Sequence, residues 1–143
     1  MAVVSLAAHK QEKIEKQDER LIRAVSREEV ENSAARHIAP VCASFHFRGS
    51  FLEEACLDLG VEAYLQGGRT GYRTGKRGKT GGVANQFQLT QEALQAELTV
   101  LLLSWVHRGT LSAEELRRAS RAYTREWWER GFETGRRHRC LKY

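Results

Sequence analysis

Apolar residues recur at helical spacing along most of the chain. Residues 1–25 are predicted to form an amphipathic, charged N-terminal helix, because a thin apolar stripe runs between many charged side chains. The stripe consists of Ile14, Leu21, Ile22 and Val25. From residue 26 to residue 143 the same spacing predicts a helical core domain. The pattern as a whole favours an all-α, single-domain bundle of four to five helices.

A central, mostly buried helix is predicted from Phe51 to Gln66, because apolar residues surround almost its whole circumference. Ser50 and Glu53 have the spacing of a capping box at its start. The preceding stretch 41–47 alternates apolar and polar residues like a strand, but no partner strand is visible. A turn or helix end that buries Phe45 and Phe47 is therefore favoured.

Three more helix starts carry capping signals. Ser26 with Glu29 predicts one start, and Thr90 predicts a helix that ends near Gly109. Ser112 predicts the start of the last helix, which continues into the basic tail. The single proline, at position 40, agrees with long helices.

Residues 67–82 read GGRTGYRTGKRGKTGG, with seven glycines and five Lys or Arg. Glycine disfavours both helix and strand, so a long flexible Gly/Arg/Lys-rich loop is predicted here. Its positive charges resemble Arg/Gly tracts that bind single-stranded nucleic acid, with a tyrosine available to stack. The candidate nucleic-acid-binding residues of the loop and tail are Arg69, Tyr72, Arg73, Lys76, Arg77, Lys79, Arg136, Arg137 and Arg139. A solvated surface insertion without a ligand is the competing interpretation.

Gly78-Lys79-Thr80 matches the last three residues of a nucleotide-binding P-loop. The pattern also needs a glycine five residues before Gly78, where this chain has Arg73, and it needs a strand before and a helix after. The tripeptide is therefore interpreted as part of the basic tract.

Glu54, Asp58 and Glu62 lie one helical turn apart and present three carboxylates on one face. They could hold a metal ion or act as acid and base, and metal binding stays open at this point. The favoured alternative is structural: a matching basic row on the last helix would neutralise them. That row consists of Arg117, Arg121 and Arg125.

No cofactor, bound metal or catalytic residue is predicted. His37, Cys42, His46 and Cys56 match no standard zinc spacing, and no nucleophile motif is present. Three cysteines without a CxxC motif and an apolar N-terminus too short to span a membrane suggest a cytoplasmic protein. The net charge of +5 makes the chain basic but excludes a histone-like or fully disordered protein.

An aromatic and glycine-containing face near the C-terminus is a candidate interaction face. Its residues are Trp127, Trp128, Gly131, Phe132 and Gly135. Two glycines four residues apart let another helix approach closely. This face is expected either to pack inside the domain or to form a homodimer seam.

Two segments resemble the small YbaK-like proteins of bacilli, a family of unknown function. The segments are FLEEACLDLGVEAYLQG at 51–67, with Tyr72 shortly after it, and WWERGFETG at 127–135. The resemblance covers the chain from about Ser26 to the end. It implies a helical cytoplasmic protein and supplies no catalytic or binding residues.

These observations predict a non-enzymatic protein that binds a protein partner, or itself, or acts as a regulator. The alternative is weak, non-sequence-specific nucleic-acid binding through the basic loop and tail. No membrane association is predicted.

Overall fold

The computed structural model describes residues 16–42, 47–74, 81–105 and 113–141. Within these ranges the chain forms five α-helices and no strand. Helix α1 covers 16–23 in the described part, and it is followed by α2 (Arg27–His37), a short 3₁₀ turn (Ala39–Cys42), α3 (Phe51–Thr74), α4 (Gly81–Trp105) and α5 (Ala113–Leu141). The prediction of an all-α single domain is confirmed.

The helix directions follow from which residues meet. Gly60 lies against Tyr123 and Gly71 lies against Phe132, so α3 and α5 run parallel. The described part of α1 runs antiparallel to both helices. Tyr64 Oη on α3 donates a hydrogen bond of 2.8 Å to the carbonyl oxygen of Leu21 on α1.

The predicted caps of α2 and α3 are confirmed. Ser26 Oγ accepts a hydrogen bond from the Glu29 backbone N–H at 3.2 Å. Ser50 Oγ accepts one from the Glu53 N–H, also at 3.2 Å. The Glu53 carboxylate in turn accepts the Gly49 N–H at 3.0 Å. Both helices therefore begin where local polar side chains satisfy the free backbone donors.

One hydrophobic core joins all five helices. Its largest fully buried side chains are Trp127, Tyr64, Tyr123, Ile38, Leu52, Leu98, Leu102 and Leu116. Val30 and Ala34 of α2 are buried, and Phe47 is 4 % exposed, as predicted. Phe45 belongs to residues 43–46, which lie outside the described part of the chain.

The predicted flexible loop at 67–82 is wrong for residues 67–74, which belong to α3, and for Gly81 and Gly82, with which α4 begins. Helix α3 continues to Thr74, so it is longer than the predicted helix that ends at Gln66. Each helical glycine costs about 1 kcal/mol relative to alanine. That cost is offset because Gly67, Gly68 and Gly71 are buried where other helices approach closely. Residues 75–80, including Lys76, Arg77 and Lys79, lie outside the described part.

The predicted start of α4 at Thr90 is also wrong. The helix begins at Gly81, and Thr90 lies in its interior. Residues 83–89 contain neither glycine nor proline, so nothing in the local sequence stops the helix from extending toward its N-terminus. The predicted end at Gly109 and the predicted cap at Ser112 fall in residues 106–112, outside the described part.

Candidate nucleic-acid interface

Glycines set the distance between α3 and α5. A Cβ atom added to Gly131 would overlap the carbonyl oxygen of Tyr64 and would lie 2.7 Å from the Tyr64 carbonyl carbon. One added to Gly67 would overlap the carbonyl oxygen of Trp128, and one added to Gly135 would overlap that of Gly68. The two backbones are therefore in direct contact, as in other helix pairs with small residues at the seam.

This parallel contact brings two basic helix ends together. The Arg139 guanidinium of α5 lies 4.9 Å from the centre of the Tyr72 ring of α3. Arg20 of α1 lines a small cavity together with Tyr72 and His138. We call this region the basic end and define it by five arginines. They are Arg20, Arg73, Arg136, Arg137 and Arg139.

Two of the predicted nucleic-acid-binding residues have structural partners here. Arg69 donates hydrogen bonds of 3.1 and 2.7 Å to the two carboxylate oxygens of Asp18, and so ties α3 to α1. Tyr72 is 8 % exposed and lies under Arg139. A buried ring cannot stack on a base, so the prediction that Tyr72 is available for stacking is wrong.

The sequence analysis did not identify Arg20 and His138 as part of this site. Burial lowers the pKa of His138, and the positive charges of Arg20 and Arg137 lower it further. His138 is therefore neutral near pH 7, in a place where several positive charges meet. No local motif marks either residue, because only the antiparallel docking of α1 brings them together.

A groove of about 930 Å³ runs from the basic end along the outer face of α5, beside α1 and α2. Charged residues of both signs line it, and several are paired with each other. Arg130 lies 2.7 Å from Glu29, and Arg125 lies 2.9 Å from Glu129. These pairs already neutralise the groove, in contrast to the basic end.

Glu126 closes the far part of the groove and joins α2 to α5. Ser33 Oγ donates to its carboxylate at 2.9 Å, Arg36 donates to both oxygens at 2.8 Å, and His37 Nε2 lies 2.8 Å away. Trp127 Nε1 donates to Ser33 Oγ at 2.9 Å. Burial alone would raise the pKa of Glu126. The hydrogen bonds from His37 and Ser33 and the charge of Arg36 outweigh burial, so the pKa is lowered.

This cluster acts as a clamp between α2 and α5. Ser33 is 2 % exposed, and both its donor and acceptor functions are used. A nucleophile needs access to substrate, which Ser33 does not have.

The predicted neutralisation of α3 carboxylates by α5 arginines is wrong. Glu54 pairs with Arg27 of α2 at 2.6 Å. Glu62 accepts a hydrogen bond from Gln66 at 3.0 Å. Two of the three α5 arginines pair along their own helix, Arg117 with Glu114 at 3.4 Å and Arg125 with Glu129 at 2.9 Å. Helix α2 lies nearer to the start of α3 than any of these arginines, and the sequence alone did not show this.

No group of three or more potential metal ligands is present among the described residues. Cys42 and Cys56 are free and buried. Burial raises the pKa of the Cys42 thiol to about 11. Burial, together with nearby Cys42, raises that of Cys56 to about 12. His37 pairs with Glu126, and His46 lies outside the described residues.

The candidate interaction face at the C-terminus packs inside the chain. Trp127 and Trp128 are 0 % and 3 % exposed, and Gly131 and Gly135 lie against the α3 backbone. Phe132 is partly buried and stacks on Trp128, with ring centres 5.3 Å apart. The face therefore packs within the domain, which is one of the two arrangements expected from the sequence.

The fold and the site define a small, single-domain all-α protein with a basic end. The chain belongs to the family described as "Protein of unknown function (DUF2521)", whose model matches residues 1–143. It is similar to "Uncharacterized protein YbaK" of Bacillus subtilis (strain 168), with 25% identity over 132 residues, which are 91% of this chain and 90% of the relative. No solved structure matches the chain. The resemblance to the YbaK-like family is thus confirmed, and it extends over the full sequence.

Among the described helices none combines the length with the apolar character that a membrane span requires.

Proposed function

We propose that this protein binds nucleic acid at its basic end, through phosphate contacts and without sequence preference. The observation that carries the proposal is the parallel packing of α3 on α5. It places Arg73 at the end of one helix beside Arg136, Arg137 and Arg139 at the end of the other. Antiparallel helices would have put these two groups at opposite ends of the molecule.

The adjoining sequence adds more positive charge. Residues 75–80 follow directly after α3, and they contain Lys76, Arg77 and Lys79 and no acidic residue. Polyanions bind such clusters because each phosphate contact releases a condensed counterion. The proposal therefore keeps the basic residues that the sequence predicted to bind nucleic acid. It assigns them contacts with phosphates and no longer includes base stacking on Tyr72.

The proposal predicts a defined salt dependence. If the five arginines of the basic end contact five phosphates of a single strand, the logarithm of affinity should fall with the logarithm of salt with a slope of about −3.5. Because Tyr72 is buried, base identity should contribute little.

A partner-binding function at the Trp and Gly face draws no support from the structure, since α3 of the same chain occupies that face. As a binding surface, the basic residues therefore have more support than the Trp and Gly face.

The experiment is fluorescence anisotropy with a labelled single-stranded RNA across a salt series. We expect Arg136→Gln/Arg137→Gln to weaken binding at every salt concentration and to make the slope shallower by about 1.4. The matched control is Arg117→Gln/Arg125→Gln, which removes the same charge from exposed positions in the first half of the same helix. Equal effects of the two double variants, or no binding by the wild type at low salt, would refute the proposal.

A further inference from the structure

Helix α4 has an apolar outer face that nothing in the described chain covers. Val100 is 67% exposed and Leu103 is 50% exposed. Ala93 and Ala96 are exposed on the same face, opposite the buried Leu94, Leu98 and Leu102. The four exposed positions alternate by three and four residues, which is the spacing of a coiled-coil seam. We call these four residues the α4 patch.

The α4 patch lies in an acidic surface. The 25 residues of α4 contain two glutamates and no lysine or arginine. Glu97 lies within the patch and forms no ion pair with any described residue. A helix that is apolar on both faces is normally covered on both faces. A suitable cover for this one carries positive charge.

Such a surface exists on α5 of the same protein. Arg118 and Arg121 are exposed on the first half of α5, and in the described chain neither of them forms an ion pair. Ala122 is exposed beside them and leaves room for close approach. We call these three residues the α5 arginine face.

The α4 patch and the α5 arginine face lie at the same end of the bundle. Seven residues, 106–112, connect α4 to α5 and span at most about 25 Å, whereas α5 with its 29 residues is about 43 Å long. The end of α4 therefore lies near the start of α5, far from the basic end. Within the described part of one chain Glu97 does not pair with Arg118 or Arg121, although both surfaces lie at this end of the bundle.

We propose that two copies of this chain form a symmetric dimer in which the α4 patch of each copy packs on the α5 arginine face of the other. A two-fold axis between neighbouring surfaces makes both contacts at once, as in most closed homodimers. The contact buries Val100 and Leu103 and brings Glu97 to Arg118 and Arg121. Direct pairing of two α4 helices would instead bring acidic surfaces together without any basic residue.

The test is sedimentation equilibrium of the full chain over a range of protein concentrations. We expect the wild type to dimerise reversibly, and Glu97→Arg to raise the dimer dissociation constant at least about tenfold. Arg118→Glu/Arg121→Glu should do the same. The combined variant Glu97→Arg/Arg118→Glu/Arg121→Glu should recover the dimer, because both charges are exchanged.

Two further variants separate apolar packing and general charge effects. Val100→Ser/Leu103→Ser removes exposed apolar groups and should weaken the dimer without loss of helix content by circular dichroism. Arg136→Glu/Arg137→Glu changes charge at the basic end and should leave dimerisation unchanged.

A wild type that is monomeric at every concentration overturns the proposal. A dimer that the triple charge exchange does not rescue packs through another face and overturns it equally. These outcomes are independent of nucleic-acid binding, which depends on the opposite end of the molecule.

Discussion

Gly131→Ala tests the close contact between α3 and α5, because this contact decides whether the substitution stabilises or destabilises the protein. In an isolated helix this substitution stabilises by about 1 kcal/mol. In this structure the new Cβ would lie 2.7 Å from the Tyr64 carbonyl carbon, against an ordinary contact of 3.4–4 Å. Backbone cannot rotate away as a side chain can, so the two helices must separate by about 1 Å.

The loss of stability arises because separating the two helices opens gaps around buried side chains. Tyr64, Tyr123 and Trp127 are almost fully buried near this seam. Large buried aromatic residues are worth about 3–5 kcal/mol each, and a gap of up to 1 Å forfeits about a quarter of their contact energy. Three residues together lose about 3 kcal/mol. After the gain in helix propensity, the free energy of unfolding should fall by about 2 kcal/mol.

Thermal and urea denaturation followed by circular dichroism measure this change, and we expect Tm to fall by roughly 6–8 °C. Gly68→Ala is the matched control, because the atoms nearest to its Cβ belong to the Leu21 side chain, 2.5 Å from Cδ1 and 2.7 Å from Cδ2, and a side chain can shift more easily than backbone. It should cost less than Gly131→Ala. A stabilising effect of Gly131→Ala would refute the close contact and the parallel packing that rests on it.

Three further predictions concern pH and capping. Because the pKa of Glu126 is lowered in the folded state, its contribution to stability is present above the ordinary value of 4.5 and is lost as pH falls through the lowered value. Glu126→Gln should lower the unfolding free energy by about 2 kcal/mol near pH 7. It should also make the loss of stability at acid pH less steep in urea denaturation measured across pH. Burial and nearby arginines lower the pKa of His138, and the negative charge of bound RNA should raise it again, so wild-type affinity should increase as pH falls from about 8 to 6 whereas that of His138→Gln should not. Equal pH dependence of the two proteins would contradict this. Ser26→Ala should cost about 1 kcal/mol in urea denaturation through loss of the α2 cap, whereas an unchanged midpoint would show that the cap contributes nothing.

The sequence was informative where the cause of a structure is local. The caps at Ser26 and Ser50 act within three residues, and both form as predicted. The apolar residues around the helix that starts at Phe51 also predicted a mostly buried helix, and Leu52, Cys56 and Tyr64 are almost fully buried. Such features depend on neighbours in the chain, so their pattern is visible without the fold.

The flexible-loop prediction failed because glycine has two opposite effects on structure. Glycine in an exposed segment adds freedom, but at a helix contact it allows two backbones to touch. Composition cannot distinguish these cases, since the difference is whether a partner helix is present. A signal existed: Gly67 and Gly71 repeat the four-residue spacing of Gly131 and Gly135. Matching spacings on two helices indicate a shared seam.

The basic end was only partly predictable for a different reason. The charges of Arg73 and Arg136 are visible in the sequence, but their proximity depends on the relative direction of two helices that 38 residues separate. Arg69 shows the opposite case. Its charge was counted as available, yet Asp18, 51 positions earlier in the chain, pairs with it. Long-range pairing decides which charges remain for a ligand.

Helix stability alone does not explain the arginines of the basic end. Positive residues at a helix C-terminus interact favourably with the helix dipole, which is equivalent to about −0.5 charge per helix. The ends of α3 and α5 together therefore present about −1 charge, whereas the basic end contains five arginines. Glu133 lies 3.9 Å from Arg137 and is 54% exposed, so it neutralises at most one of them. A net positive charge of about three remains, before the lysines of the adjoining sequence are counted. Concentrated charge of one sign destabilises a folded protein by self-repulsion, and a bound polyanion would relieve that repulsion.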